Sequence, residues 1–317
     1  MKKKILLGYR FCREGFESLE ENFDLIYPEK EYLTKDEVLE KIPEFEVFVP
    51  SGEYNTDREI IDRGEKLVLI ANYGAGYNTI DTDYAAQKGI VVINTPNSVV
   101  EPTAELAFGL LLATARRIPF YDRHLRTSEG LRWGEFDNMG TTLFGKILGI
   151  YGMGKIGQAI ARRAVASGMK ILYHNRKALP KKTEEKYGAQ YVPFDRLLEE
   201  SDFISLNAPA TPESEHIINK DSIGKMKKSA ILINAARGSL VDEDALIKAL
   251  ECKSIRGAGL DVHAHEPDIN EKFKVLENVV LTPHVGTQTV ETRLEMHLEL
   301  ADNIMGFFNN GNYSQVN

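Results

Sequence analysis

The chain of 317 residues holds only two cysteines, Cys12 and Cys252, and a single tryptophan, Trp133. Two such cysteines make no disulfide framework, and no Cys/His spacing matches a metal site. The expectation is a reducing, cytoplasmic setting and no bound metal. No stretch approaches the ~20 apolar residues of a membrane span. The start, Met1-Lys2-Lys3-Lys4, has the charge of a signal n-region, but the apolar run behind it is only Ile5-Leu6-Leu7, too short for an h-region. Positive charge is in deficit. Lys and Arg number 39 against 47 Asp and Glu, a net charge of −8. That argues against bulk nucleic-acid or anionic-membrane binding, while leaving room for a local basic pocket. Repeats and low-complexity tails are absent. What remains is a globular composition, 43 % hydrophobic and 27 % charged, long enough for about two domains.

The first third alternates short apolar runs with amphipathic stretches. Ile5–Gly8, Asp24–Tyr27, Val47–Pro50, Leu67–Ala71 and Ile90–Ile93 read as strands. Helical patterns lie near Phe16–Glu21, Lys35–Ile42, Asp57–Arg63 and Thr82–Gln87. Strands alternating with helices imply a mostly parallel sheet covered on both faces. Asn94-Thr95-Pro96-Asn97 breaks the pattern, and a helix apolar nearly all round follows from about Glu101 to Arg117. Such a helix is expected to be buried between domains or subunits. Ile118 to Gly140 reads as irregular. A second α/β unit runs from Lys146 to about Pro283, and Gln288 to about Phe308 reads as one long helix returning to the first unit. The expected division is 1–97 with 287–317 as one domain, and 98–286 as the other. The cleft between them is the expected small-molecule site.

The motif that speaks most directly to function is Gly152-Met153-Gly154-Lys155-Ile156-Gly157. The apolar strand Lys146–Tyr151 precedes it and a helical stretch follows, with a second strand, Lys170–His174, one helix later. In a dinucleotide turn the first glycine permits the bend. The second removes the side chain that would block the phosphates, and the third lets helix and strand pack closely. Helix N-terminal N–H groups then face the pyrophosphate.

Three further segments place charge just past the ends of apolar strands. They are Asn234-Ala235-Ala236-Arg237-Gly238, Asp261-Val262-His263-Ala264-His265-Glu266-Pro267 and Thr282-Pro283-His284-Val285-Gly286. Ligands of open α/β sheets bind outside the carboxyl ends of strands, so these side chains are expected to converge beside the nucleotide.

With these motifs, and with Asn72-Tyr73-Gly74-Ala75-Gly76-Tyr77-Asn78-Thr79-Ile80-Asp81 in the first unit, the chain resembles the D-isomer-specific 2-hydroxyacid dehydrogenases over nearly its whole length. The glyoxylate/hydroxypyruvate reductase-like branch is the nearest in pattern. The resemblance implies two doubly wound α/β domains, a discontinuous flavodoxin-like substrate domain and a Rossmann dinucleotide-binding domain. It also implies catalytic Arg237, Glu266 and His284. The chemistry needs these types. His284 can hand a proton to the carbonyl oxygen, because imidazole works near neutral pH. Glu266 orients the ring, and Arg237 offers a planar fork to a carboxylate and to the ketone oxygen. Substrate contacts are expected at Gly52, Tyr73, Gly74, Ala75 and Gly76, together with Arg237 and His284. Cofactor contacts are expected at Thr103, Ala208, Pro209, Ala235, Ala236, Asp261 and Gly286, besides Gly152, Gly154, Lys155, Ile156 and Gly157. Asp261 also reads as a strand-end cap, and the other histidines, His263 among them, as structural or solvated.

The cofactor choice turns on the end of the second strand of that domain. An acid there would bind the adenosine ribose of NAD and repel the extra phosphate of NADP. This chain has Asn175-Arg176-Lys177, three expected cofactor contacts that depart from the acidic pattern; the alternative is that Arg176 and Lys177 are solvated and Asn175 bonds a ribose hydroxyl. Arg176 can clamp a 2′-phosphate and Lys177 adds charge, so NADP is the preferred expectation, with NAD the alternative. The expected reaction is reduction of a small 2-oxo acid to a D-2-hydroxy acid, with glyoxylate or hydroxypyruvate first. Aromatic 2-oxo acids such as hydroxyphenylpyruvate are the alternative. Tyr73, Tyr77, Glu53, Tyr54 and Trp133 are expected to line or flank the pocket. A non-enzymatic, dinucleotide-sensing co-repressor is the reading from another class. The apolar helix and the stretch after it resemble the family's dimer contact, so a symmetric homodimer is expected.

Overall fold

The computed structural model describes residues 2–317 other than 53, 128, 129, 132 and 133. The chain divides into two compact units, one reaching Val99 and resuming as Thr287–Asn317, the other spanning Val100–Gly286.

In the first unit the described residues run β1 (Lys3–Leu7), α1 (Glu17–Asn22), β2 (Phe23–Ile26), α2 (Lys35–Lys41), β3 (Val47–Val49), α3 (Arg58–Arg63), β4 (Leu69–Ala71), α4 (Thr82–Gln87) and β5 (Val91–Ile93). Thr34 and Glu37 close a capping box at the start of α2, and Asp57 and Asp81 cap α3 and α4. These side chains satisfy N–H groups that a helix start leaves open. The strands form one parallel sheet in the order β2-β1-β3-β4-β5, the flavodoxin-like order.

The second unit runs α5 (Val100–Ala115), α6 (Ile118–Leu125), β6 (Ile147–Tyr151), α7 (Lys155–Ala166), β7 (Lys170–His174), α8 (Lys181–Tyr187), β8 (Ala189–Tyr191), α9 (Phe194–Glu200), β9 (Phe203–Leu206), α10 (Lys220–Lys225), β10 (Ile231–Asn234), α11 (Glu243–Glu251), β11 (Gly257–Leu260), α12 (Glu271–Lys274) and β12 (Val279–Leu281). Its parallel sheet has the order β12-β11-β10-β9-β6-β7-β8. That is the Rossmann order with one strand added, and its direction of winding reverses between β6 and β9. Alternate residues feed two cores. Tyr173, Phe203, Ile231 and Ile233 pack with α5 and α7 on one face, and Leu172, Ile204 and Leu232 pack with Leu197, Leu246 and Leu250 on the other. A strand buried on both faces must be apolar throughout, which is why these strands read as unbroken hydrophobic runs.

The final helix, α13 (Val290–Phe308), belongs to the first unit and buries Leu300, Ala301 and Ile304 against Ile5, Leu7 and Leu69.

Two expectations need correction. The stretch from Ile118 is not irregular throughout, because α6 occupies Ile118–Leu125. Arg117 takes a left-handed conformation (φ 54°) that breaks the chain away from α5, and Pro119 sits in the first turn of α6. Proline is tolerated there because its missing N–H would have had no intrahelical partner. Nor does α5 need a second domain to bury it. Ala104, Ala107, Leu110 and Leu111 lie in the core of their own unit. Gly259 of β11 makes room, since a Cβ there would stand 2.9 Å from Thr114 Oγ1 and 3.1 Å from Leu110 Cβ.

Candidate active site

The neighbouring strands β10, β11 and β12 end on the same edge of the second sheet, and each carries one member of the charged triplet just beyond its end. After β10, the buried Asn234 side chain shapes the turn. Its Nδ2 donates to the Arg237 carbonyl at 2.8 Å and its Oδ1 accepts from the Ala236 amide at 3.1 Å. Arg237 is half-buried there, with Nη1 donating to the Ala236 carbonyl at 2.6 Å. Burial lowers its guanidinium from the ordinary value, and the charge of Glu266 opposes that shift.

Beyond β11 and β12, His284 Nδ1 lies 2.6 Å from Glu266 Oε2. Burial alone would raise the Glu266 carboxyl. The hydrogen bonds from His284 and from the His263 amide outweigh that and hold it below the usual carboxylate range. An ionised carboxylate only accepts, so Nδ1 carries a proton, and Nε2 is the ring nitrogen that could exchange one with a ligand.

Asp261, 1 % exposed, anchors the segment that carries His284. Its carbonyl accepts from the His284 amide at 2.7 Å. Its carboxylate accepts from Thr282 Oγ1 at 2.6 Å, from the Val285 amide at 2.9 Å and from the Gly286 amide at 3.0 Å. Three successive amides thus fold onto one residue, and His284 is held at φ 54°. A left-handed non-glycine residue costs about 1–3 kcal/mol, which these bonds offset. The capping role and the ligand role proposed for Asp261 therefore fall on one side chain already well engaged. Thr103, on α5, comes to the same place: a Cβ on Gly286 would lie 3.3 Å from Asp261 Oδ2 and 3.5 Å from Thr103 Oγ1.

The glycine turn follows β6 at the reversal point of the sheet. Gly152 has φ 92°, and a Cβ there would stand 2.6 Å from the Ala208 amide nitrogen at the end of β9. A Cβ on Gly157 would stand 2.5 Å from the Gly152 carbonyl oxygen. Gly154 differs, because nothing lies within 4 Å of its Cβ position. It is the N-cap of α7 and supplies no side-chain cap. An open, side-chain-free approach to an uncapped helix start fits a pyrophosphate, whose oxygens would complete the cap. The end of β7 is stitched to this turn: the Gly152 amide donates to His174 O at 3.0 Å and the Met153 amide to Asn175 Oδ1 at 2.7 Å. Asn175 therefore ties the end of β7 to the turn through its side-chain oxygen. Arg176 and Lys177 stand exposed beyond it, Pro209 is exposed, and Ala235 and Ala236 are half-buried in the turn that bears Arg237.

In the first unit the loop after β4 is held by side chains that sequence reasoning passed over. Asn72 Nδ2 donates to the carbonyls of Gly74 and Gly76 at 2.9 and 3.0 Å, and Asn94 Nδ2 to that of Ala75 at 2.9 Å. Thr95 binds Gly74 through both its amide and its hydroxyl. In a trans peptide the N–H points opposite to the C=O. Turning the Gly74 and Ala75 carbonyls inward therefore turns the amides of Ala75 and Gly76 outward. Tyr73 packs against Phe11 and His297 and donates its hydroxyl to the Arg293 carbonyl at 3.3 Å. The space around Gly52 is open. Glu53 and Trp133, singled out by sequence, lie outside the described residues. Among the described residues no group of three or more His, Cys, Asp or Glu is placed to hold a metal, and no helix is long and apolar enough to cross a membrane.

Comparison with known proteins gives a consistent result. The family model described as the NAD-binding domain of D-isomer-specific 2-hydroxyacid dehydrogenases matches residues 108–286. The chain is 41 % identical over 312 residues to a glyoxylate reductase of Pyrococcus furiosus, covering 97 % of this chain and 93 % of that one. It is 40 % identical over 314 residues to a glyoxylate reductase of Thermococcus onnurineus, covering 98 % and 94 %. Among solved structures, a glyoxylate reductase from Paecilomyes thermophila superposes with a TM-score of 0.91 at 35 % identity, covering 99 % of this chain and 98 % of that one. An NADPH-dependent glyoxylate/hydroxypyruvate reductase from Sinorhizobium meliloti, in complex with NADP and malonate, gives 0.87 at 33 % identity, covering 100 % and 97 %.

Proposed function

The chain belongs to the D-isomer-specific 2-hydroxyacid dehydrogenase family, an NAD(P)-dependent one, and from that premise we propose that it reduces glyoxylate or hydroxypyruvate with NADPH. The observation that carries the reading is the 2.6 Å His284–Glu266 pair beside a half-buried Arg237, on the edge of the sheet that also bears the glycine turn.

A bound nicotinamide supplies the hydride that the carbonyl carbon receives. Everything else falls to the chain. His284 Nε2 gives the proton that the oxygen gains, and Glu266 keeps the ring turned that way by holding Nδ1. Arg237 takes the substrate carboxylate and polarises the ketone, at a position where burial strengthens each charge–charge contact. The outward amides of Ala75 and Gly76 offer donors suited to a carboxylate. The domain names follow: the first unit binds substrate and the second the dinucleotide. Gly152, Gly154, Lys155, Ile156 and Gly157 hold the pyrophosphate, and Arg176 with Lys177 takes the 2′-phosphate. Thr103, Ala208, Pro209, Ala235, Ala236, Asp261 and Gly286 line the rest of the cofactor's path.

The protein works in the cytoplasm as a homodimer in this reading, with both cysteines as free thiols. Leu112, Ile118 and Leu125, exposed along α5 and α6, supply apolar surface for a second copy. Light scattering returning a monomer would remove the dimer. Initial rates with glyoxylate, hydroxypyruvate, pyruvate and 4-hydroxyphenylpyruvate, each with NADPH and NADH, test the reaction. The highest rate is expected with glyoxylate or hydroxypyruvate and NADPH. A preference for NADH refutes the phosphate clamp. Tight cofactor binding without turnover of any of the four refutes the reductase.

A further inference from the structure

We propose that His263 is a positioning residue for the Glu266–His284 pair, an inference that rests on the dehydrogenase reading above. Two separate hydrogen bonds carry it. The His263 amide donates to Glu266 Oε1 at 2.9 Å, the carboxylate oxygen opposite the one that meets His284. The His263 ring donates from Nε2 to the Thr282 carbonyl at 3.1 Å, two residues before His284. One residue therefore grips both members of the pair: the acid directly, and the imidazole through the peptide that leads to it.

That peptide needs the grip. Thr282 is fixed by its amide on Leu260 O at 2.9 Å and by its hydroxyl on Asp261 Oδ1 at 2.6 Å. Pro283 has no N–H to fix it further. The Thr282 carbonyl is the group through which the peptide entering Pro283 is oriented, and His263 supplies its donor. The turn bearing Arg237 rests on the same residue, because a Cβ at Gly238 would collide with the His263 carbonyl group.

Packing alone does not explain an imidazole here. The side chain is buried, at 5 % exposure, and its Nδ1 is without a hydrogen-bond partner. A carbonyl only accepts, so the proton sits on Nε2 and a lone pair is left stranded on Nδ1. A phenyl ring would fill similar space without that desolvated nitrogen. What the imidazole has and the phenyl lacks is the Nε2–H on Thr282.

The test compares His263→Phe, which keeps the ring and loses the donor, with His263→Gln, which keeps a donor at similar reach. The readouts are kcat and KM for the best 2-oxo acid, the NADPH dissociation constant, and the low-field proton resonance of the short His284–Glu266 bond. His263→Phe is expected to lose on the order of tenfold in kcat through misplacement of the proton donor, with NADPH affinity unchanged and the low-field resonance broadened. His263→Gln is expected to recover most of the rate and a sharp resonance. A phenylalanine variant equal to wild type overturns the proposal, as does a glutamine variant that loses as much as phenylalanine. If neither variant folds, histidine-selective nitrogen-15 spectra of the wild type decide. A slowly exchanging Nε2–H on His263 is expected, and an Nδ1–H tautomer overturns the proposal. If the wild type reduces none of the oxo acids, the dehydrogenase reading fails by itself. The resonance and tautomer, which need no substrate, still judge the positioning.

Discussion

The carboxyl ends of β10, β11 and β12 are crowded with side-chain hydrogen bonds, whereas the turn after β6 works by leaving side chains out. On the crowded edge Asn234, Asp261 and Glu266 each bind two or more groups of other residues. At the turn Gly152 and Gly157 leave no space for a Cβ, and Gly154 leaves its space open. In the proposed reaction the two regions meet opposite needs. Proton transfer requires one atom held at one place, so it is built from mutually fixed side chains. A pyrophosphate spreads its charge over many oxygens, so it is met by bare backbone and a helix start.

The largest effect expected from this contrast is at the crowded edge. His284→Ala removes the proton donor but no part of the glycine turn. It should lower kcat by about a hundredfold to ten-thousandfold and leave the NADPH dissociation constant within about twofold. Steady-state rates and cofactor fluorescence measure the two separately. Wild-type turnover in that variant would take His284 out of the reaction.

The converse variant belongs to the turn. Gly154→Ala places a methyl group in the open space, at an extended backbone conformation (φ −77°, ψ −155°) that alanine adopts. The folded protein should lose under about 1 kcal/mol, the scale of an N-cap change. NADPH and NADH affinity should fall about tenfold to a hundredfold, the worth of one or two hydrogen bonds to a charged group. Gly152→Ala should do the reverse, costing about 2 kcal/mol or more of stability because φ is 92° and the Ala208 amide is in the way. Equal stability losses in the two variants would erase the distinction between the glycines.

A smaller effect is expected just beyond the turn, at exposed Arg176. Arg176→Ala should weaken NADPH binding about tenfold while NADH binding changes little, read from paired titrations. Equal losses would assign Arg176 to the shared part of the dinucleotide, or to none of it.

The two regions were also legible to different degrees. The turn could be read from Gly152, Gly154 and Gly157 because its chemistry is local: three glycines in six residues, bounded by a strand and a helix. Arg237, Glu266 and His284 could be placed because each stands a few residues past an apolar strand, and because their company resembles a known family. What holds them could not be read. The bonds from the Val285 amide to Asp261, from the His263 ring to Thr282, and from Asn94 to Ala75 join residues 24, 19 and 19 apart. No local pattern of residue types encodes those pairings. Asn175 shows the same limit, since nothing in the local sequence encodes the bond its Oδ1 accepts from the Met153 amide, 22 residues away. The neighbour that buries α5 was missed for another reason. An apolar sequence said the helix is buried, but which neighbour buries it depended on Gly257 and Gly259 of β11, more than a hundred residues away.

The smallest effect sharpens the electrostatic half of the comparison. The Glu266 carboxyl is held below its ordinary value of 4.5, because the bonds from His284 and His263 outweigh burial. A carboxylate with a lowered folded value binds its proton more weakly folded than unfolded. Its contribution to stability is therefore complete above about pH 4.5 and is lost as the pH falls through the lower, folded value. Glu266→Gln removes that charge while leaving the other carboxylates to cancel in the difference. Urea unfolding of both proteins from pH 6 to about pH 3 should show a wild-type advantage that is steady at the upper end and shrinks below about 4.5. The advantage should be modest, because the Glu266 side chain is 35 % exposed and solvent screens it. A difference that stays flat to the lowest pH would mean that Glu266 holds His284 by shape and hydrogen bonding alone, and the crowded edge would then owe its order to geometry without charge.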